Sequence, residues 1–164
     1  MLFRSRAVIV VVALAVAGSL ALPWAAAKEV DLAAANWPAN PTQAFDRIRV
    51  ARSLNPLSDR PDITAGIIAE RLGDERRARA AFAQAVVRNP ENWYAHLELG
   101  LLHASAHDPR AALAAIHRAR ALNPREPLLA RVESDLRDGK PVAAASVRRE
   151  LVDRLRVLVG KSQQ

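Results

Sequence analysis

Three histidines in one predicted helix are the residues whose types and spacing are best suited to chemistry. His96, His103 and His107 are spaced at i, i+7 and i+11, so they fall along one stripe of a helix and its end. Imidazole nitrogens grouped in this way can bind Zn²⁺ or Ni²⁺, and a carboxylate such as Asp108 would complete the set. A metal-binding protein is therefore one hypothesis. The alternative is that the histidines pack between helices and in a turn.

Catalytic chemistry finds little support elsewhere in the chain. The sequence has no cysteine, which excludes disulfides, thiolate metal sites and a cysteine nucleophile. It has no phosphate-cradling glycine loop, and its serines lack the setting of a nucleophile elbow. The carboxylates are predicted to lie on polar helix faces, at spacings that favour ion pairs. We predict that the protein is not an enzyme and uses no cofactor.

The positive charge of the chain does not predict a nucleic-acid partner. The formal net charge is +7, yet basic residues alternate with acidic ones, and only 4% of the residues are aromatic. Binding to single strands needs aromatic platforms for stacking, and binding to duplexes needs a clustered basic face. The sequence shows neither feature, so nucleic acid is excluded as a predicted partner.

An internal repeat indicates the helices that position these residues. Asn55-Pro56, Asn89-Pro90 and Asn123-Pro124 recur every 34 residues. Three further columns keep the same step, and they are Ala44, Ala78 and Ala112, then Ile48, Phe82 and Ile116, then Ala51, Ala85 and Ala119. A fixed period of this length is typical of a solenoid whose unit is a helix-turn-helix. No segment alternates with the period of two that a strand requires.

Cap and terminator residues predict where the helices begin and end. Asn40 and Asp108 each precede a proline, as an N-cap does, while Gly73, Gly139 and Gly160 are predicted to end helices. The predicted helices cover residues 41–54, 61–72, 75–88, 93–106, 109–122, 127–138 and 142–159.

Two glycines recur at one position inside the predicted helices. Gly66 and Gly100 are one period apart, and a glycine within a helix costs about 1 kcal/mol relative to alanine. Such a residue is worth keeping where a neighbouring helix crosses too closely for a methyl group. The predicted neighbours of Gly100 are Ala112 and Ile116.

These features resemble two tetratricopeptide repeats, over residues 59–92 and 93–126. The residues that carry the resemblance are Ala65-Gly66, Gly73, Ala78, Phe82, Ala85 and Pro90 in the first unit, and Leu99-Gly100, Ala112, Ile116, Ala119 and Asn123-Pro124 in the second. The resemblance implies an all-α, right-handed solenoid that binds other proteins through a concave surface. It also places His96 and His103 where the family has inter-helix aromatics, and His107 where it has a turn glycine. We therefore favour packing over a metal.

In the family, the first helix of each pair lines the groove. The resemblance thus implies a partner-binding groove of Arg60, Ile63, Ile67, Glu70, Arg71, Tyr94, Leu97, Leu101 and Ser105. An apolar groove rimmed by arginines and a tyrosine fits an amphipathic helix or an extended apolar peptide. The alternative is that the termini of the chain itself bury these apolar residues.

The N-terminal segment indicates that the protein is exported from the cytoplasm. Arg4 and Arg6 precede an uncharged apolar run from Ala7 to Ala27, which is long enough to span a bilayer. We predict a transmembrane signal-anchor over residues 1–27, with the N-terminus in the cytoplasm and the repeats on the extracytoplasmic side. Residues 25–27 are all alanine, so cleavage before Lys28, giving a soluble exported protein, is the alternative.

A second resemblance covers the whole chain. It rests on Leu22-Pro23-Trp24, Ser53-Leu54-Asn55-Pro56-Leu57-Ser58, residues 92–100 and Leu122-Asn123-Pro124-Arg125, which resemble the tail after the last membrane helix of bacterial O-antigen ligase/polymerase-like proteins. It implies an uncleaved anchor that continues as a repeat helix to about Asn36. It also implies, as an alternative function, an accessory subunit of envelope polysaccharide ligation or polymerisation.

The predicted organisation has four parts, which are the anchor (1–27), a linker with a half-repeat (28–58), two repeats (59–126) and a C-terminal capping pair (127–164). The last helix carries Val147, Leu151, Leu155 and Leu158 on one side and arginines around the rest. It is predicted to cap the solenoid, and binding to an anionic membrane surface is the alternative. The predicted function is a membrane-anchored protein-interaction scaffold at the bacterial cell envelope. The partner and the oligomeric state are left open.

Overall fold

The protein is all-helical throughout the part that the structure, a computed structural model, describes. That part is residues 21–161, without the side chains of residues 155 and 157–161. It contains eight helices, namely α1 (residues 21–36), α2 (Pro41–Leu54), α3 (Arg60–Arg71), α4 (Glu75–Arg88), α5 (Trp93–Ser105), α6 (Pro109–Leu122), α7 (Pro127–Arg137) and α8 (Ala144–Lys161). The all-α prediction is confirmed, and the predicted bounds agree within two residues. Gly160 was wrongly predicted to end a helix, because α8 continues through it to Lys161.

Side-chain caps start the helices where the sequence indicates. The Gln43 backbone N–H donates to Asn40 Oδ1 at 3.0 Å, and the Ala111 N–H donates to Asp108 Oδ1 at 3.0 Å. In both helices a proline follows the cap, where its missing N–H costs no hydrogen bond. The Asn92 side chain also caps α5, by accepting hydrogen bonds from the Tyr94 and Ala95 N–H groups, although no proline follows it.

Three helices end in a residue of left-handed conformation. Gly73 and Gly139 have φ of 75° and 69°, and His107 has φ of 57°. Each is followed by a backbone N–H that donates to a carbonyl five residues earlier, as Asp108 does to His103 at 3.0 Å, which is the Schellman arrangement. The prediction that His107 occupies a turn position suited to glycine is confirmed.

The described part of the chain divides into two compact units, with the boundary between Asp74 and Glu75. In the first unit, α1 packs on α2 through Ala26, Val30 and Ala51. Arg47 Nη1 of α2 also donates to Glu29 Oε2 of α1 at 2.8 Å. Helix α1 ends at residue 36, before the turn at Trp37, as the second resemblance implies. The half-repeat around α2 therefore has a first helix.

The second unit contains α4 to α8 and has its core between α5 and its neighbours. Nine buried residues form this core cluster, which are Leu97, Leu101, Ile116, Ala119, Leu128, Leu129, Val132, Val147 and Leu151. The three repeat columns are buried as well, with all nine of their residues at most 1% exposed. Burial of these columns is the physical reason for the 34-residue period.

The α5–α6 crossing explains one of the repeated glycines. A Cβ atom built on Gly100 would lie 2.6 Å from Ile116 Cδ1, 2.7 Å from Ile116 Cγ1 and 3.3 Å from the Ala112 carbonyl oxygen. Carbon atoms in good contact are about 3.5–4.0 Å apart, so only glycine fits at this crossing. The predicted neighbours of Gly100 are confirmed.

The predicted membrane segment lies mostly before the described residues. Among the helices of residues 21–161, none combines the length and the apolar character that crossing a membrane requires. Residues 1–20 of the predicted span fall outside the described range, and residues 21–27 belong to α1.

Candidate partner-binding surface

One stripe of α3 in the first unit faces α1. Arg60, Ile63, Ile67 and Arg71 are spaced at i, i+3, i+7 and i+11, so they share one side of the helix. One end of this stripe contacts α1 and the other contacts the turn that follows it. Arg60 Nη2 is 2.7 Å from Asp31 Oδ1, and the Arg71 guanidinium lies 5.8 Å from the ring centre of Trp37, just after α1.

We call this surface the α1–α3 face, defined by the α3 stripe together with Asp31 and Trp37. Between its charged ends, Ile63 and Ile67 are partly exposed. The eleven-residue step from Arg60 to Arg71 corresponds to about 16 Å of helix. That length matches about five residues of an extended peptide. Glu70, also predicted to line the groove, is partly exposed and one position from the stripe.

The corresponding residues of the second unit are not open. Leu97 and Leu101 stand one period after Ile63 and Ile67, but they are only 0% and 1% exposed. They lie in one core cluster with Leu128, Leu129 and Val132 of α7 and with Val147 and Leu151 of α8. The predicted groove therefore does not continue along these leucines as a free surface, because helices of the chain itself cover them.

The other two predicted groove residues of the second unit have local roles. Tyr94 packs edge-on against Phe82 and Trp93, with ring centres 6.4 and 6.1 Å away. Ser105 is exposed, and its hydroxyl donates to the Leu101 carbonyl at 3.0 Å. Tyr94 is thus part of the packing, while Ser105 lies at the end of α5.

The histidine stripe does not assemble a metal site in the described range. His96 Nε2 lies 3.1 Å from the Pro90 carbonyl oxygen, and His103 Nδ1 lies 3.9 Å from Asp108 Oδ2. His107 occupies the left-handed turn. Across residues 21–161, no three His, Cys, Asp or Glu side chains are grouped so that they could hold an ion.

Three carboxylates contradict the prediction that acidic residues lie on polar faces. Asp62, Glu98 and Glu133 are buried. Asp62 Oδ1 is 2.6 Å from Arg52 Nη2, and Glu98 Oε2 is 2.8 Å from Arg148 Nε. A signal for Glu98 is present in the sequence, since it is the only acidic residue of a predominantly apolar helix. Helical periodicity alone cannot tell a buried ion pair from a solvated one.

Glu133 is the centre of a cluster of hydrogen-bonded side chains on α6 and α7. It accepts hydrogen bonds from His117 Nδ1 at 2.9 Å, from Arg120 Nη1 at 2.7 Å and from Arg137 Nη2. Burial by itself would raise the pKa of this carboxyl group. The hydrogen bonds from Arg120 and His117 and the charge of Arg137 outweigh burial, so its pKa lies below the ordinary value of 4.5. This cluster ties α6 to α7 and is structural.

Solved structures similar to this chain are tetratricopeptide-type proteins. The tetratricopeptide repeat domain of Arabidopsis OM64 has a TM-score of 0.62 at 18% identity, over 72% of this chain and 98% of that domain. MamA has a TM-score of 0.61 at 16% identity, over 84% and 78%. PcrH from Pseudomonas aeruginosa has a TM-score of 0.55 at 15% identity, over 68% and 85%. The chain has a tetratricopeptide-like helical solenoid fold.

No protein-family profile matches the sequence, and no curated protein matches it.

Proposed function

We propose that the protein is a non-enzymatic interaction scaffold that binds a peptide segment of a protein partner on its α1–α3 face. The observation that carries the proposal is the partial exposure of Ile63 and Ile67 between two charged ends, at positions where the next repeat buries leucines. An apolar strip with polar ends suits a short extended peptide or one face of an amphipathic helix. The solenoid fold supports the proposal, because solenoids create extended binding surfaces.

A photo-crosslinking amino acid placed at position 67 of the full chain, in the producing cell, tests this assignment. We expect a discrete crosslinked species that disappears when Ile63→Glu is added, because a charge would interrupt the apolar strip. The matched control is the same crosslinker at Val50, which is exposed on α2 and outside the face. Equal crosslinking at positions 50 and 67, or a species at position 67 that is unaffected by Ile63→Glu, would contradict the proposal.

We further propose that the scaffold is held at a bacterial envelope membrane by its N-terminal run, with the repeats on the extracytoplasmic side. The uncharged run after Arg4 and Arg6 supports this. So do the exposed apolar side chains around the described start of α1. Leu22, Trp24 and Leu57 are 49%, 67% and 87% exposed there, and Asn55 and Ser58 line a small cavity with Pro23 of α1. Trp24 is an amphipathic residue suited to a membrane interface.

The structure of α1 favours an uncleaved anchor over a cleaved signal. The bond between Ala27 and Lys28 lies inside α1, and Ala26 is buried against α2. Cleavage at that bond would remove part of the first unit. N-terminal sequencing and carbonate extraction of the expressed full chain test the proposal. An intact Met1 in the membrane fraction supports it, and a soluble chain that begins at Lys28 contradicts it.

A role in polysaccharide assembly stays a prediction. None of the three similar structures named above is an O-antigen ligase or polymerase, and no observed contact favours that role. Recovery of the protein with a polytopic glycosyltransferase-like membrane protein would support it.

A further inference from the structure

Helix α8 covers the apolar residues of α5 that correspond in the repeat to the partly exposed isoleucines of α3. Its apolar side, formed by Val147 and Leu151, packs in one cluster with Leu97 and Leu101 of α5. Those leucines stand one repeat period after Ile63 and Ile67, the apolar residues of the α1–α3 face. The same positions that are partly exposed in the first unit are thus covered in the second by an amphipathic helix of the chain itself.

The contact between α8 and α5 includes a buried ion pair. Arg148 Nε is 2.8 Å from Oε2 of Glu98, and the Glu98 side chain is only 1% exposed. A carboxylate buried in apolar surroundings is costly unless a cation pairs with it. A helix with a basic residue beside its apolar side would therefore preserve this pairing if it took the place of α8. In α8 the pattern is an apolar residue, an arginine next to it, and a second apolar residue four positions after the first.

The remaining attachments of α8 are of a kind that can be exchanged. Among its described side chains, only Val147 and Leu151 are buried. Ala144 at the start of α8 also packs against the core cluster, which includes residues of α7. Two ion pairs of partly exposed residues link α8 to α7 and to its N-cap residue Glu126, namely Arg131 with Glu150 at 2.5 Å and Arg154 with Glu126 at 3.9 Å, and such pairs stabilise little. The segment that joins α7 to α8 is not helical over residues 140–143. By contrast, α5 and α6 pack so closely at Gly100 that a side chain there would collide with Ile116.

We propose that α8 is an intramolecular occupant of a partner groove on α5 and α7, and that an amphipathic helix of a partner protein, carrying a basic residue for Glu98, displaces it. This inference rests on the proposed scaffold function and adds a second, self-covered surface to the α1–α3 face. Because α8 is part of the same chain, it competes with a partner helix at a high effective concentration. Only a helix with the same pattern of apolar and basic residues as α8 therefore displaces it.

The test uses the full chain and a fluorescent synthetic peptide with the sequence of residues 144–161 as the probe. Binding is measured by anisotropy. Leu151→Ala alters α8 and leaves the groove unchanged, so the peptide should bind this variant at least about tenfold more tightly than the unaltered chain, which corresponds to about 1.4 kcal/mol. Val152→Ala is the matched control, because Val152 is exposed on α8, and it should not change the affinity. A peptide with Arg148→Ala should lose most of its affinity.

A locked chain supplies the opposite perturbation. The protein has no native cysteine, so Arg131→Cys with Glu150→Cys can be bridged by a short bismaleimide, and the bridged chain should not bind the peptide. Hydrogen exchange of the unaltered chain, with α8 amides exchanging faster when peptide is added, gives a readout that does not depend on any variant folding.

Three results would overturn the inference. One is equal peptide binding by the bridged and unbridged chains, and another is α8 exchange that stays unchanged at saturating peptide. The third is a dimer in which α8 is swapped between chains, since it would assign the groove to a second copy. If these results appear while position 67 still crosslinks a partner, the scaffold proposal stands and only the displacement of α8 fails.

Discussion

Gly100→Ala tests the close crossing of α5 and α6, because two opposing effects can both be sized from the structure. Alanine is better than glycine inside a helix by about 1 kcal/mol. Against this, the new Cβ would approach Ile116 Cδ1 to 2.6 Å and Cγ1 to 2.7 Å, about 1 Å inside a normal carbon contact. Ile116 is fully buried within the core cluster, so moving its side chain would disturb the packing around it.

Overpacking of this kind costs about 1–3 kcal/mol. Subtracting the gain in helix propensity leaves a net loss of up to about 2 kcal/mol in the free energy of unfolding. The measurement is urea unfolding followed by far-UV circular dichroism. Ala114→Gly, at an exposed site on α6, is the control that measures the propensity effect alone, and it should cost about 1 kcal/mol.

The decisive result is a change of sign in a second background. Ile116→Ala removes both atoms that clash and by itself costs about 2–5 kcal/mol. In that background, Gly100→Ala should raise the free energy of unfolding by about 1 kcal/mol. If Gly100→Ala stabilises the otherwise unaltered protein to the same extent, the two helices do not cross as closely as described, and the explanation of the repeated glycine is refuted.

Three further predictions follow from the turns and buried groups. His107→Gly should raise the free energy of unfolding by about 0.5–1 kcal/mol in thermal melts, because it removes the cost of a left-handed conformation in a residue with a side chain. Glu133→Gln should lower it by about 1–3 kcal/mol at neutral pH. Because the folded-state pKa of Glu133 is lowered, its carboxylate stabilises the fold fully above pH 4.5 and loses this effect as the pH falls below that value. The variant should therefore lose less stability than the unaltered protein in that range. An equal loss of stability in the two proteins would contradict this. A chain that begins at Lys28 lacks the buried Ala26, so amides of α2 should exchange faster than in the full chain, and equal protection would show that residues before 28 do not support the first unit.

Much of the fold was predictable because the residues that recur in each repeat are the ones that the fold buries. The Ala44 column is small and the Ile48 column is large and apolar at a fixed period, since each repeat buries the same side of its helices. Caps and turns are local as well. Asn40, Asp108 and Gly73 act on backbone groups within a few residues, so their types are sufficient to predict their roles.

The covered surface was not predictable in the same way. The spacing of Leu97 and Leu101 indicates one apolar side of a helix, but it does not indicate whether a partner or α8 covers that side. The burial of Glu133 likewise depends on Arg120 and His117, which reach it from another helix. Such pairings depend on how sequence-distant helices meet, and single-chain periodicity carries no information about that.

The continuity of α1 through residues 21–36 has a consequence for how an anchored scaffold would be aimed. A helix turns by 100° and rises 1.5 Å with each residue, so the length of α1 sets the rotation of the α1–α3 face about the helix axis. In the proposed anchored state, one residue inserted between positions 21 and 25 would rotate the α1–α3 face by about 100° about the stem while lifting it only about 1.5 Å. A flexible linker would average out such a change. Within residues 21–36, the number of residues in α1 thus sets the direction in which the binding face points.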